Sequence, residues 1–227
     1  MSELAERYTQ VKQRIHETAK RCERDVNDIA LLAVSKRKPA EDIVAMHALG
    51  QQAFGENYVQ EGVDKITSIA IDDISWHFIG HIQSNKTKDI AQHFDWVHGL
   101  EKLKHAKRLS SQRPENKASL QVCIQVSITG EESKGGVSPD ALPDLAKAVA
   151  ELPNIRLRGL MTMPDPNTSR EEQRKVFTAL RQCKEQLNEQ GLELDTLSMG
   201  MSGDMEDAIA EGSTMIRIGT ALFGKRD

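Results

Sequence analysis

The stretch Leu31-Leu32-Ala33-Val34-Ser35-Lys36-Arg37-Lys38-Pro39 decides the fold. It begins with four apolar residues and ends in a turn, because Pro39 disfavours helical conformation at Lys38. A short apolar run closed by a turn is typical of a strand buried on both faces, as in a parallel sheet. Lys36 then lies where this strand ends and a βα loop begins, the end at which parallel α/β folds bind ligands. Position alone leaves open that Lys36 is one of three solvated basic residues.

The composition argues against several classes of protein. The 227 residues carry a net charge of −4 and a pI near 6.0, which does not support nucleic-acid or membrane-surface binding. The longest apolar run, Ile29 to Val34, is too short to span a bilayer, and the acidic amino terminus lacks a signal core. Cys22, Cys123 and Cys183 are odd in number and scattered, which argues against disulfides and a cysteine zinc site. We expect a cytoplasmic protein.

Helix-like and strand-like segments alternate along the chain. The apolar spacing predicts an opening helix at about residues 2–22. Eight strands are predicted, at Leu31–Lys36, Gln52–Glu56, Ser75–Gly80, Trp96–Leu100, Gln121–Ile128, Ile155–Met163, Thr196–Gly200 and Thr214–Gly219. Seven helices are predicted between them, at Ala40–Leu49, Tyr58–Ser68, Asn85–Gln92, Lys102–Gln112, Pro139–Leu152, Arg170–Gln190 and Asp204–Ala210.

This alternation predicts an α/β protein with a (β/α)8 TIM barrel as a single domain over residues 1–227. The opening helix could close the ring behind the last strand. A doubly wound open sheet is the alternative, and it is weakened because no Gly-x-Gly-x-x-Gly fingerprint follows the first strand.

The ends of the last two predicted strands suit a phosphate group. Ser202 and Gly203 directly precede a helical stretch, and Gly219 and Thr220 precede a short turn. Free backbone N–H groups, hydroxyls and the helix dipole all favour an anion there, and loops seven and eight of barrels are a frequent phosphate site. Helix capping by Ser202 and a tight turn at Gly219 are the alternative. The Asp204 carboxylate would repel phosphate unless it points away, and it could serve the first turn of its helix.

Arg217 is predicted to point into the barrel. Strand alternation places Ile216 and Ile218 toward the outer helices, and Arg217 on the opposite face. A buried guanidinium requires an acceptor, which could be a ligand or a carboxylate such as Glu56 or Asp204.

A lysine, a phosphate site and an arginine around one barrel mouth suggest an aldehyde phosphate held as a Schiff base. An amine must be neutral to attack an aldehyde, and burial beside other cations favours the neutral form of a lysine. Phosphate binding would anchor the ligand while Lys36 forms the covalent bond.

Five motifs resemble those of the YggS/PROSC family of pyridoxal 5′-phosphate (PLP) homeostasis proteins. They are Leu32-Ala33-Val34-Ser35-Lys36, Phe54-Gly55-Glu56-Asn57-Tyr58, Trp76-His77-Phe78-Ile79-Gly80, Arg158-Gly159-Leu160-Met161 and Leu197-Ser198-Met199-Gly200-Met201-Ser202. The resemblance covers essentially the whole chain. It implies a single PLP fold-type III-like barrel, similar to the N-terminal domain of alanine racemase.

The resemblance also assigns roles to nine residues. It implies that Lys36 carries PLP, that Ser202, Gly203, Gly219 and Thr220 hold its phosphate, and that Arg217 faces its pyridine nitrogen. It adds Asn57, His81 and Met163 as groups lining the ring.

The implied function is vitamin B6 homeostasis, by storage or transfer of PLP and without a turnover reaction. The chain ends at Asp227, directly after the last barrel strand, whereas racemases of this fold complete their active site with a second domain and a partner subunit. We therefore expect a monomer that is not an enzyme, with PLP-dependent apo-enzymes as possible recipients of PLP.

Other interpretations remain open. A PLP-dependent racemase-like enzyme is one. A Schiff-base aldolase or a phosphate-sugar isomerase on the same barrel is another, for which Glu56 is the obvious catalytic candidate. The histidines lack a metal-binding motif, so no metal site is expected. Lys134-Gly135-Gly136 lacks the Walker spacing and is interpreted as part of a mobile loop.

Overall fold

Eight parallel strands form one closed barrel, with strands adjacent in the order of the chain. The structure is a computed structural model that describes residues 2–130 and 135–224. The strands are β1 (Ala30–Val34), β2 (Ala53–Glu56), β3 (Ser75–Phe78), β4 (Trp96–Leu100), β5 (Leu120–Gln125), β6 (Ile155–Met161), β7 (Thr196–Ser198) and β8 (Met215–Ile218). The predicted (β/α)8 barrel is confirmed, and the doubly wound open sheet is excluded.

Helices follow the strands and cover the outside of the barrel. In the described residues they are α1 (Glu3–Arg21), α2 (Ala40–Ala48), α3 (Val59–Ser68), α4 (Thr87–His93), α5 (Leu103–Gln112), α6 (Leu142–Ala150), α7 (Arg170–Glu189), α8 (Met205–Ala210) and α9 (Thr220–Phe223). The helix predicted over Asn85–Gln92 is divided, because a 3₁₀ turn at Ser84–Lys86 precedes α4. Across the described ranges, no helix is both long enough and apolar enough to cross a membrane.

Several strands end earlier than the apolar pattern predicted. β1 ends at Val34, two residues before Lys36, and β7 ends at Ser198. The last paired residues of β6 and β7 are Met161 and Ser198. Single backbone hydrogen bonds continue just beyond these pairs, from Thr162 N to Ser198 O and from Met199 N to Met215 O, before the chain forms the loops at the barrel mouth.

The first and last strands pair to close the barrel. Leu32 lies opposite Arg217, and Ala33 lies opposite Ile218. The opening helix α1 packs behind this seam against α8 and α9. Its Arg14 Nη2 lies 2.7 Å from Glu206 Oε1 of α8. The seam brings the loop after β1 beside the loop after β8.

The main apolar core lies between the outer face of the sheet and the helices. Its largest fully buried side chains include Phe54, Phe78, Phe94 and Phe177, and the rings of Phe78 and Phe94 meet edge to face with centroids 5.4 Å apart. Burying each such ring contributes about 1.5–3 kcal/mol.

The inside of the barrel is partly polar. Ser75 Oγ lies 3.0 Å from His77 Nε2, His77 Nδ1 lies 2.9 Å from His98 Nε2, and His98 Nδ1 lies 2.7 Å from Ser198 Oγ. Desolvation lowers the pKa of His77 to about 3 and lowers that of His98 well below its ordinary value. Both imidazoles are therefore neutral in the folded protein.

These two histidines make stability depend on pH. They stay neutral in the folded protein, whereas in the unfolded chain each takes up a proton as the pH falls through about 6.5. Stability therefore falls as the pH falls below that value, by up to about 1.4 kcal/mol per pH unit for each group. We expect the free energy of unfolding in urea to decrease steadily from about pH 6.5 to about pH 5, above the range in which most carboxylates titrate.

The matched variant for this prediction is His77→Phe, which removes one titrating group. Its pH slope should fall by the contribution of one histidine, whatever its stability at neutral pH. A wild-type stability that stayed constant over this range would contradict the prediction.

Candidate functional site

The carboxyl ends of the strands surround a cavity of about 300 Å³, at the lower end of the size range of small-molecule sites. Eight of the nine residues predicted from sequence line it: Lys36, Asn57, Met163, Ser202, Gly203, Arg217, Gly219 and Thr220. The apolar part of the wall includes Val34, Ile79 and Phe223, which were not predicted to line a ligand site. These residues carry no chemistry that would distinguish them from ordinary core residues.

Lys36 reaches the cavity because the strand alternation continues beyond β1. Val34 and Lys36 face the cavity, whereas Ser35 between them is fully buried and bonds to Glu56. The chain turns at Arg37, whose φ of 59° lies in the left-handed region. Pro39 then forms the N-cap of α2.

A buried ion-pair network holds the backbone on both sides of the cavity lysine. Lys65 Nζ of α3 donates to Ser35 O at 2.8 Å, to Glu56 Oε1 at 2.8 Å and to Glu61 Oε1 at 2.7 Å. The Arg37 N–H donates to the same Glu61 oxygen at 2.5 Å. The strand end is thereby tied to α3 immediately before and after position 36. Lys65 was not predicted from the sequence, although its spacing of four residues from Glu61 on a helix is a signal for such a pair.

Glu56 belongs to this network and not to the cavity. Its side chain is fully buried and bonds to Lys65 and Ser35. Burial raises its pKa, against the opposing effects of Lys65 and Ser35. It therefore does not contact Arg217, and it does not face a substrate in the cavity. The sequence-based proposals that it pairs with Arg217 or acts as an aldolase base are corrected by this placement.

Arg217 points into the barrel, as the alternation of β8 predicts. Its Nη1 donates to Ser198 O at 2.6 Å and to Ser198 Oγ at 2.7 Å, and its Nη2 donates to Thr162 O at 2.9 Å. The residue is only 5% exposed. Burial lowers its pKa to about 10, with Asp204 acting in the opposite direction. The guanidinium is charged at neutral pH, and these three hydrogen bonds go to neutral acceptors.

The loop before α8 offers donors to the cavity. In the described part of the chain, the backbone N–H groups of Ser202 and Gly203 have no protein acceptor, and a Cβ added at Gly203 would meet nothing within 4 Å. Asp204 turns away, because its Oδ1 accepts the Met201 N–H at 2.5 Å instead of capping the first turn of α8. The predicted conflict between this carboxylate and an anion is therefore resolved by the local fold.

Asn57 reaches the cavity, but His81 does not. Asn57 Oδ1 is buried and has no hydrogen-bond partner among the described residues. Gly80 packs directly on the Asn57 backbone, since a Cβ at Gly80 would lie 2.1 Å from its carbonyl oxygen. The chain then turns outward, and the His81 side chain is 66% exposed, with Nδ1 4.0 Å from Glu101 Oε1. The position predicted for His81 beside the ligand ring is corrected accordingly.

Two further sequence interpretations concern metals and the loop after β5. Among the described residues, no group of three or more His, Cys, Asp or Glu side chains could hold a metal ion. Residues 131–134, which include Lys134, lie outside the described residues.

Most of the chain matches one known protein family. Residues 8–227 match the family described as alanine racemase, N-terminal domain. The chain belongs to this family. A protein of Pseudomonas aeruginosa named pyridoxal phosphate homeostasis protein is 53% identical over 227 residues, covering 100% of this chain and 97% of the relative. A protein of the same name from Escherichia coli K12 is 49% identical over 230 residues, covering 100% and 98%.

The family resemblance extends to a solved structure with a ligand. The structure of PipY from Synechococcus elongatus PCC7942 with PLP bound superposes with a TM-score of 0.87 and 34% identity, covering 98% of this chain and 100% of that one. The family membership predicted from the five sequence motifs is confirmed.

The ion-pair network below Lys36 is open to test by Lys65→Met. This change leaves Glu56 and Glu61 without their cation, and removing one partner of a buried pair costs about 3–5 kcal/mol. We expect the free energy of unfolding in urea at neutral pH to fall by that amount. The control is Lys175→Met, because Lys175 pairs with Glu171 on the surface of α7 and its loss should leave stability unchanged. Equal stability of the two variants would contradict the role of Lys65.

Proposed function

We propose that this protein binds PLP reversibly through a Schiff base on Lys36 and acts in PLP homeostasis by storing or transferring it. The observation that carries the proposal is the convergence of Lys36, Arg217 and two donor-rich loops on one cavity. PLP has three matching features, which are an aldehyde, a ring nitrogen that accepts a hydrogen bond, and a phosphate. The names of the homologous proteins and the PLP-bound relative support the same conclusion.

Lys36 supplies the amine. Condensation of a neutral amine with an aldehyde forms one C=N bond and releases one water, and it is reversed by water, which suits a carrier. Lys65 and its partners hold the backbone on each side of Lys36. The amine is therefore presented from a turn directly after β1 whose backbone is held on both sides of Lys36.

The loops after β7 and β8 supply the phosphate site. Ser202 and Thr220 bring hydroxyls, and the backbone of Gly203 and Gly219 allows close approach of an anion. Asp204 is bonded to the Met201 N–H, so it does not oppose phosphate binding. Asn57, whose buried Oδ1 has unused capacity, and Met163 complete the set of cofactor contacts that we propose.

Arg217 favours binding over catalysis. Arginine only donates hydrogen bonds, so a ring nitrogen that faces it stays unprotonated. An unprotonated ring nitrogen makes bound PLP a weaker electron sink for reactions at an amino-acid α-carbon. The racemase-like alternative is therefore disfavoured, and the aldolase alternative loses Glu56 as its candidate base.

The proposal also covers the recipients of PLP, the location of the protein and its oligomeric state. We infer that PLP-dependent apo-enzymes receive the cofactor, and that the protein is a cytoplasmic monomer. The closed barrel pairs every strand edge with a neighbour, so no strand edge in the described residues requires a second subunit.

The first experiment is an absorbance spectrum of the purified protein with PLP, before and after borohydride, followed by peptide mapping. We expect a Schiff-base band and, after reduction, a stable adduct on Lys36. Lys36→Ala should abolish both, whereas Lys175→Ala should leave both unchanged. Pyridoxal, which lacks the phosphate, should bind at least about tenfold more weakly because the loop contacts are lost. An adduct on Lys38 instead of Lys36 would refute the proposal.

The second experiment separates a carrier from an enzyme. We expect no substantial racemisation of alanine or other amino acids by the PLP-loaded protein, measured by chiral chromatography. We also expect PLP to pass to an apo-enzyme, with recovery of that enzyme's activity. Racemisation that disappears in Lys36→Ala would show that the protein is an enzyme.

A further inference from the structure

A continuous row of hydrogen bonds runs from the cavity wall through the inside of the barrel. It begins at Arg217 of β8, passes to Ser198 of β7 at 2.7 Å, and crosses the interior to His98 of β4 at 2.7 Å. It continues to His77 of β3 at 2.9 Å and ends at Ser75 at 3.0 Å. Sequence reasoning considered these histidines only as metal ligands and assigned them no function.

Arg217 determines which atom donates and which accepts in every hydrogen bond of this row. Arg217 can only donate, so Ser198 Oγ accepts from it. The Ser198 hydroxyl proton then goes to His98 Nδ1, which must be unprotonated. His98 therefore carries its proton on Nε2 and donates to His77 Nδ1, and His77 in turn donates from Nε2 to Ser75.

The opposite direction is disfavoured. If His98 Nδ1 donated, Ser198 Oγ would accept from both sides, and its own proton would have no acceptor among the described residues. Ser198 is fully buried, and leaving a buried donor unsatisfied is unfavourable. A protonated His98 would also place a second cation next to Arg217, in a site where desolvation already opposes charge.

Other contacts keep the row rigid. The His77 ring stacks on Trp96, with centroids 5.3 Å apart and planes inclined by 5°. His77 and His98 are nearly or completely inaccessible to solvent. Such a satisfied polar network fixes the orientation of its members more strictly than an apolar core does.

We propose that Ser198, His98 and His77 form a positioning network for Arg217, with both histidines held as the Nε2–H tautomer. Of the five N–H donors of arginine, Arg217 uses three on Ser198 and Thr162. The network fixes the guanidinium so that its remaining donors serve an aromatic ring nitrogen in the cavity. The hydrogen bond to a ring nitrogen rests on the proposed function, whereas the assignment of the two histidine tautomers does not.

The first test needs no ligand. In the full-length protein labelled with ¹⁵N-histidine, the nitrogen shifts at neutral pH should assign both His77 and His98 as Nε2–H tautomers. In Arg217→Met the donor that sets the direction is lost, and His98 should become a mixture of tautomers. An Nδ1–H tautomer of His98 in the wild-type protein would overturn the proposal even if the variant failed to fold.

The second test compares PLP with its 1-deaza analogue, which has carbon in place of the ring nitrogen. The wild-type protein should bind PLP roughly tenfold more tightly than the analogue, because only PLP accepts a hydrogen bond from Arg217. Ser198→Ala should reduce this ratio to less than about threefold, since the guanidinium is no longer fixed. A purely structural defect would weaken both ligands equally and leave the ratio unchanged, which would refute the proposal.

The matched control is Ser84→Ala. Ser84 Oγ lies 3.0 Å from His105 Nε2, a similar serine–histidine contact whose residues do not line the cavity, so the ratio should stay at the wild-type value. If Ser84→Ala lowered the ratio of the affinities for PLP and its analogue as much as Ser198→Ala does, the effect would not act through Arg217, and the proposal would be overturned. If neither ligand binds the wild-type protein, the proposed function fails, while the tautomer experiment still decides whether the network exists.

Discussion

The parallel pairing of β1 with β8 is the constraint on which the cavity depends. It places Leu32 opposite Arg217 and Ala33 opposite Ile218, so two distant segments of the chain share one register. A Cβ at Gly219 would lie 3.3 Å from the Val34 carbonyl oxygen, which shows how closely the two loops approach. The amine of the first loop and the donors of the last therefore face each other only when the barrel is closed.

Alternate residues at the end of β1 and just beyond it make contacts on opposite sides of the sheet. Val34 and Lys36 face the cavity. Ser35, between them, faces the α3 side, where it bonds to Lys65 and Glu56. The chain at the end of β1 thus directs an amine toward the cavity and is held by hydrogen bonds on its outer side. A buried ion pair adds little net stability compared with apolar packing, and this one holds the backbone on both sides of Lys36.

Sequence reasoning recovered the barrel and most of the cavity because these depend on local patterns. Alternation and strand ends identify Lys36 and Arg217, and glycine with hydroxyl residues before short helices identifies Ser202 and Thr220. The partners of these residues were not predictable in the same way. His98 contacts Ser198 across the barrel interior. Strand alternation predicts which face of the sheet a residue occupies, but it does not predict which residue lies across the barrel from it. His81 was misplaced because the outward turn after Gly80 depends on the Asn57 backbone, a contact between two separate strand ends.

The distribution of charge around the mouth has a kinetic consequence. The protein is acidic overall, yet the cavity wall carries Lys36, Lys38 and Arg217, while the nearby Asp204 is engaged by its own loop. The charge of Arg217 therefore focuses an attraction for small anions on the cavity of a molecule whose net charge is negative. Such focusing raises association rates at low ionic strength and is screened within about 8–10 Å in physiological salt. The rate at which a small anion enters the cavity should therefore decrease as the salt concentration rises.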